Sequence, residues 1–92
     1  MEQLGKYGFL RRDYLKNYKN SLYQVMLLQD TIREHLLEVD KAAKEREEVI
    51  LKRLEEKEPL PDKEVDQMVW VRAANQHRAI AEEIILKELI YV

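Results

Sequence analysis

The chain has 92 residues, of which 46% are hydrophobic and 37% are charged, with a net charge of −2 at pH 7. The apolar fraction excludes a disordered chain, and the near-neutral charge excludes both a strongly basic field for nucleic acid and a densely acidic DNA mimic. The absence of cysteine excludes disulfide bonds and thiolate metal sites. No stretch reaches the roughly 18 uncharged apolar residues of a membrane span, so a cytoplasmic protein without membrane contact is expected.

The first predicted helix covers about residues 6–18, in the part of the chain that carries the local excess of positive charge. Residues 1–20 hold five basic and two acidic side chains. The basic side chains that could contact phosphate are Lys6, Arg11, Arg12, Lys16 and Lys19. Beside them run the apolar and aromatic side chains of Leu10, Tyr14 and Tyr18. The alternative is an ordinary amphipathic helix whose tyrosines face the core and whose lysines face water.

The second predicted helix is long and uninterrupted, over about residues 21–58. Its start is marked by Ser21 and Gln24, which are spaced as a capping box. Apolar residues then recur at alternating spacings of three and four, as in a heptad stripe. The stripe consists of Leu22, Val25, Gln29, Ile32, Leu36, Val39, Ala43, Arg46, Ile50 and Leu54, with Gln29 and Arg46 as its two polar interruptions.

The third predicted helix covers about residues 62–90 and follows a turn at residues 58–62. Pro59 and Pro61 disfavour helix in the residues before them, and Asp62 is a good N-cap. A turn centred near residue 60 pairs residue i with about residue 120−i in an antiparallel hairpin. This register places Trp70 over Ile50 and places Arg72 in a salt bridge with Glu47 or Glu48.

The unequal lengths of the two long helices leave apolar segments uncovered. At about 1.5 Å per residue the third helix reaches back only to about residue 31, so the first helix is expected to cover residues 22–28. At the other end of the hairpin a homodimer or another protein partner is expected. The residues predicted for that interface are Val49, Leu51, Leu54, Val69, Trp70 and Arg72. The predicted fold is therefore a single all-α domain over residues 1–92, with a short N-terminal helix on a long antiparallel helical hairpin that dimerisation completes.

Catalytic and metal-binding patterns are absent from the sequence. A helical carboxylate–histidine site needs Glu-x-x-His, but Ile32 and Ala74 precede His35 and His77 by three residues. The one serine, Ser21, is better used as a helix cap than as a nucleophile, and no glycine-rich loop is present to bind phosphate. Neither an enzyme, nor a cofactor, nor a small-molecule substrate is expected.

Several motifs spread over nearly the whole chain resemble the transposon-encoded TnpV family. They are Gly5-Lys6-Tyr7-Gly8, Arg11-Arg12, Tyr14-Leu15-Lys16, Glu34-His35-Leu36, Asp66-Gln67-Met68, Trp70-Val71-Arg72, Asn75, Arg78, Ala81-Glu82-Glu83-Ile84, Leu86 and Glu88-Leu89-Ile90-Tyr91. The resemblance implies a small protein carried by mobile elements, sometimes compared with the DNA-bending excisionases, and it carries no defined activity.

The chain departs from the family pattern at several positions. The family tends to have basic residues where this chain has Phe9, Asp13, Ala73 and Ile80, which weakens a phosphate-binding surface. It usually has Ser-Gly where Gln29-Asp30 stands, and the loss of a glycine predicts a more continuous middle helix.

The function expected is that of a nonenzymatic mobile-element accessory protein that binds another protein. The partner is first a second copy, then a factor from the element or the host, with inhibition of a host defence nuclease as one outcome. The alternative is a DNA-associated excision or recombination cofactor that binds nonspecific DNA through the basic N-terminal helix.

Overall fold

The computed structural model describes residues 3–92, which are largely helical and contain no strand, so the all-α class is confirmed. Helix α1 spans Lys6–Tyr18, as predicted. It is followed by α2 (Asn20–Leu28), α3 (Ile32–Lys57), α4 (Gln67–Ile85) and a π-helical turn (Leu86–Ile90). Helix α1 lies on α3, and α3 and α4 form the antiparallel hairpin.

The middle helix is not continuous, so the prediction of one helix over residues 21–58 is wrong. Asp30 adopts a left-handed conformation with φ of 57° and ends α2. The Asp30 and Thr31 amides donate to the carbonyls of Leu27 (3.2 Å) and Met26 (2.9 Å), the two bonds of a Schellman motif. Aspartate tolerates this conformation better than most residues, so the break survives without a glycine.

The predicted capping box at Ser21 is also wrong. Helix α2 begins at Asn20, Ser21 lies inside it, and no side chain caps its first turn. Asn20 instead donates from Nδ2 to the Lys16 carbonyl at 3.1 Å. The side chain of residue 20 thus binds the last turn of the preceding helix, because α2 follows α1 after Lys19 alone.

Helix α4 begins at Gln67, five residues later than predicted, because Asp62 makes a separate turn. Asp62 Oδ1 accepts from the Glu64 amide at 2.9 Å, and the Asp62 carbonyl accepts from the Val65 and Asp66 amides. The N-cap of α4 is therefore Asp66, whose Oδ1 accepts from the Val69 amide at 3.1 Å. Each cap of this kind contributes about 0.5–2 kcal/mol.

The hairpin register differs from the predicted one by two heptads. Arg46 pairs with Glu88 at 3.2 Å, and Glu58 lies 3.9 Å from His77, so paired residue numbers sum to 134 and 135 rather than 120. A shift of about 14 residues keeps apolar faces together because it is a whole number of heptads, so the stripe pattern alone cannot distinguish the two registers.

The core is small and lies between α1, α3 and the C-terminal part of α4. Its buried cluster consists of Tyr7, Ala43, Ile50, Ala81, Ile85 and Ile90. The π-helical turn, closed by a 2.8 Å bond from the Tyr91 amide to the Leu86 carbonyl, directs Ile90 into this cluster. The molecule measures 55 × 28 × 20 Å, and its radius of gyration of 16.4 Å exceeds the roughly 12 Å of a compact domain of this length.

Candidate interaction surfaces

The Gly5-Lys6-Tyr7-Gly8 motif lets the N-terminus of α1 approach a buried carboxylate of α3. Asp40 accepts from the Gly5 amide at 3.2 Å and from the Gly8 amide at 3.1 Å, so it caps a helix more than 30 residues away in the chain. A Cβ atom at Gly5 would lie 2.8 Å from Asp40 Oδ1, and one at Gly8 would lie 2.9 Å from Leu4 Cδ2. The two glycines therefore serve packing and not flexibility.

The charge of Asp40 is compensated in its buried site. Burial raises the pKa of this carboxyl. The hydrogen bonds from Lys44 and from the Gly8 and Gly5 amides lower the pKa by more than burial raises it, so the net pKa lies below the ordinary value. Asp40 is therefore ionised at neutral pH and holds α1 on α3 through charge-assisted hydrogen bonds.

Tyr7 forms the second polar link between α1 and α3. Its buried hydroxyl donates to Glu47 Oε2. Burial, followed by the bond to Glu47, raises the pKa of Tyr7 well above its ordinary value, so the hydroxyl stays protonated as a donor. Glu47 is thus engaged by α1, and the predicted salt bridge from Arg72 to Glu47 or Glu48 is wrong. Arg72 is exposed and makes no ion pair within residues 3–92.

Arg11 is a structural residue and not part of an exposed basic surface. Its side chain is only 7% exposed. Nη1 donates to the backbone oxygens of Ile90 and Val92, each at 2.8 Å, and Nε donates to His35 Nε2 at 3.3 Å. Burial, and then the charge of Arg11, lower the pKa of His35, so His35 is neutral and accepts this bond. Arg11 fastens the C-terminal segment to α1 and α3.

The other predicted phosphate-binding residues do not form one continuous strip. Lys6 Nζ pairs with Glu82 at 2.6 Å. The Arg12 guanidinium lies 3.8 Å from Asp13 and 5.1 Å from the centre of the Phe9 ring. Lys16 and Lys19 are exposed. Two lysines and a partly engaged arginine therefore remain of the five residues that the sequence predicted.

An aromatic groove of about 480 Å³ lies between α1 and the C-terminal residues. The Tyr14 ring stacks on Tyr18 and contacts Tyr91, with 5.4 Å between ring centres in each pair. Asp13 and Asn17 complete its polar edge. The predicted aromatic line of α1 thus faces the C-terminal residues.

The residues predicted for a partner interface fall into two groups. Leu51 and Leu54 pack against the core, and Trp70 is half-buried, with Lys63 Nζ 4.9 Å from its ring centre. Val49 and Val69 are exposed. The changed register explains the difference, because it brings α4 over the C-terminal half of α3. Trp70 lines a pocket with Leu51 and Leu60, whereas Ile50 packs in the core cluster with Ala81 and Ile85.

Two apolar surfaces contain exposed residues that the predicted interface did not include. The first extends that interface from Val69: we define the end patch as Val65, just before α4, and Met68 and Val69, in its first turn, all of which are exposed. The second surface is the outer face of α2. The prediction that helix α1 covers residues 22–28 is wrong, because α2 contains no buried residue. The signal for it in the sequence is the longest uncharged run of the chain, residues 20–29.

The described part of the chain shows no feature of a metal centre or a membrane span. Across residues 3–92 no three His, Asp or Glu side chains cluster so as to hold a metal ion. Over the same residues no helix combines the length and apolarity needed to cross a bilayer. His77 is buried near Glu58, and His35 accepts from Arg11, so both histidines have structural contacts.

Comparison with known proteins identifies the family. Neither a curated protein nor a solved structure matches the chain. The sequence model of the family described as "Transposon-encoded protein TnpV" matches residues 1–90, and the chain therefore belongs to this family of transposon-encoded proteins.

Proposed function

We propose that this protein is a nonenzymatic accessory protein of its transposon and acts by binding another protein. Its partner is either a second copy or a factor from the element or the host, and inhibition of a host defence nuclease is one activity that such binding would produce. The observation that carries the proposal is the large total surface that the fold leaves in water, which includes many exposed hydrophobic side chains.

The exposed surface is larger than a compact monomer of this size requires. A compact 11.1 kDa protein exposes about 5,700 Å², whereas this chain exposes 6962 Å². The excess of about 1,300 Å² is more than the roughly 800 Å² that each partner buries in a standard protein–protein interface. Protein binding is the simplest use of such a surface.

The end patch is the surface best suited to a partner other than a second copy. Val65 is 83% exposed and Met68 67% exposed. Met68, Val69 and Arg72 share one face of α4, because they are separated by one, three and four positions. An apolar pair beside an exposed arginine has the composition of a protein-binding surface, in which methionine and arginine are enriched.

Binding to DNA is less well supported. Of the five basic residues available for it, Arg11 is buried and Lys6 is paired with Glu82. The three that remain, on a chain with a net charge of −2, would give weak and salt-sensitive binding. DNA binding is therefore an outcome of the test and not the proposal.

The test compares a variant of the end patch with a matched control. Met68→Glu with Val69→Glu adds two negative charges to the patch, and Asn75→Glu with Gln76→Glu adds two at exposed positions further along α4. A protein captured from cells that carry the element is purified and titrated against all three forms. We expect the end-patch variant to bind at least about 10-fold more weakly, equivalent to 1.4 kcal/mol, and the control to bind as the wild type does.

A second titration measures binding to random duplex DNA at about 50 and about 200 mM salt. Tight binding at the lower concentration that is abolished by Lys16→Ala with Lys19→Ala would favour the DNA-associated function. Arg11 is left intact in this assay, since its replacement would unfold the C-terminal attachment and imitate a loss of DNA contact.

A further inference from the structure

Helix α2 exposes an apolar face at the end of the molecule opposite the end patch. It has nine residues, NSLYQVMLL, and none of them is buried. An isolated helix of this length is unstable in water, so contacts must stabilise it. Tyr23 and Met26 are half-buried and form its inner side, whereas Leu22, Val25, Leu27 and Leu28 are exposed.

The exposed residues include a regular stripe. Leu22, Val25 and Leu28 follow one another at a spacing of three, which places them along one ridge of the helix. Val25 is 46% exposed and Leu28 87% exposed. The stripe is centred on Val25, and nothing within residues 3–92 buries it.

The charges around α2 fit a second copy of the same helix in antiparallel orientation. Residues 20–29 carry no charge, so two copies do not repel each other across a symmetry axis. Pairing about Val25 brings residue i opposite residue 50−i of the other copy. Lys19, directly before α2, then lies beside the other copy's segment that contains Asp30, directly after α2, so base meets acid at both ends of the helix pair.

The helix dipoles agree with this arrangement. Antiparallel helices place the positive end of each dipole beside the negative end of the other.

We infer that the protein forms a two-fold symmetric homodimer through the face of α2, with Leu22 packed on Leu28 and Val25 packed on Val25 across the axis. This inference deepens the proposed function by naming one partner, and it assigns self-association to a surface other than the end patch. The two surfaces lie at opposite ends of α3, whose 26 residues span about 39 Å.

The first test is a charge exchange at the symmetry axis. Val25→Glu and Val25→Lys each place like charges opposite one another, so each variant is expected to sediment as a monomer while keeping its helical content. An equimolar mixture is expected to recover the dimer, because the axis then pairs glutamate with lysine. A weak interface of this class is expected to have a dissociation constant of tens of micromolar. A wild type that is monomeric at about 100 μM would therefore overturn the inference, and so would a Val25→Glu variant that remains dimeric.

The second test uses the absence of cysteine from the chain. Val25→Cys treated with oxidised glutathione is expected to form a disulfide-linked dimer at low protein concentration, because the two thiols meet at the axis. Leu27→Cys, on the other side of α2, is the control and is expected to link more slowly. Equal rates for the two variants would contradict pairing about Val25.

The outcomes separate this inference from the proposed function. Met68→Glu with Val69→Glu is expected to remain dimeric even where it loses the partner. If that variant becomes monomeric and Val25→Glu stays dimeric, self-association belongs to the end patch and the inference about α2 fails. If both remain dimeric and partner binding is unchanged, the inference about α2 fails and the partner binds at a surface other than the end patch. The proposed function fails if the wild type binds neither a second copy nor a partner.

Discussion

Replacing Asp40 by alanine tests whether a buried carboxylate holds the N-terminal helix on the hairpin. Asp40 is 4% exposed and accepts from the Gly5 and Gly8 amides. Loss of a cap costs about 0.5–2 kcal/mol, and a buried amide left without an acceptor costs about 1–3 kcal/mol. The ion pair with Lys44 adds little, since the lysine is exposed to solvent. We therefore expect Asp40→Ala to lower the free energy of unfolding by about 2–4 kcal/mol.

The assay is urea unfolding followed by far-UV circular dichroism at about pH 7. Asp40→Asn keeps one acceptor oxygen and should lose about half as much. Two controls should each change the free energy of unfolding by less than about 1 kcal/mol. They are Lys44→Ala and Glu45→Ala, the latter of which removes an exposed acid of the same helix. The folded pKa of Asp40 lies below 3.8, so its contribution is present above pH 3.8 and is lost as the pH falls through the folded pKa. The capping role is refuted if Lys44→Ala costs as much as Asp40→Ala.

Two further predictions concern the end of α2 and the Arg11 contact. Asp30 has a φ of 57°, a conformation that glycine adopts readily and valine does not. Asp30→Gly should therefore stabilise the protein by about 0.5–1 kcal/mol, and Asp30→Val should destabilise it. Equal unfolding midpoints for the three forms would contradict the left-handed conformation. The pKa of His35 is lowered from 6.5 by burial and by Arg11, with Glu38 opposing, so stability is full above pH 6.5 and is lost as the pH falls through the folded pKa. His35→Gln keeps an acceptor for Arg11. This variant should lower the slope of the unfolding free energy against pH by up to about 1.4 kcal/mol per pH unit, and an unchanged slope would exclude His35 as the source of the pH dependence.

The helical class and the position of α1 followed from the sequence, because amphipathic periodicity and the proline pair are local signals. The register of the hairpin did not follow. A heptad stripe is unchanged by a shift of 14 residues, and the two alignments differ only in specific pairs such as Arg46 with Glu88. Such pairs join distant parts of the chain and leave no signal in the stripe. The start of α4 was misplaced for a separate reason, the turn built by Asp62.

The roles of Gly5 and Arg11 could not be read from their neighbours in the chain. Gly5 is needed because Asp40, 35 residues away, lies against its backbone. Arg11 looks basic and exposed in a helix rich in lysine, yet its acceptors lie 79 and 81 residues away, at Ile90 and Val92. A contact between distant parts of the chain leaves no local periodicity, so local reasoning assigned Arg11 to phosphate.

The separation of the two exposed apolar surfaces determines how self-association and partner binding relate. Helix α2 precedes α3 and the end patch follows it, so a two-fold axis at α2 leaves both end patches at the far extremes of the dimer. Neither surface then blocks the other. Twice the length of α3 is about 80 Å, so a dimer of this form can hold its two partner sites up to about that distance apart across the two α3 helices. Such a protein would bridge two copies of its partner, and its avidity for a paired target would be lost in Val25→Glu while its affinity for a single copy remained.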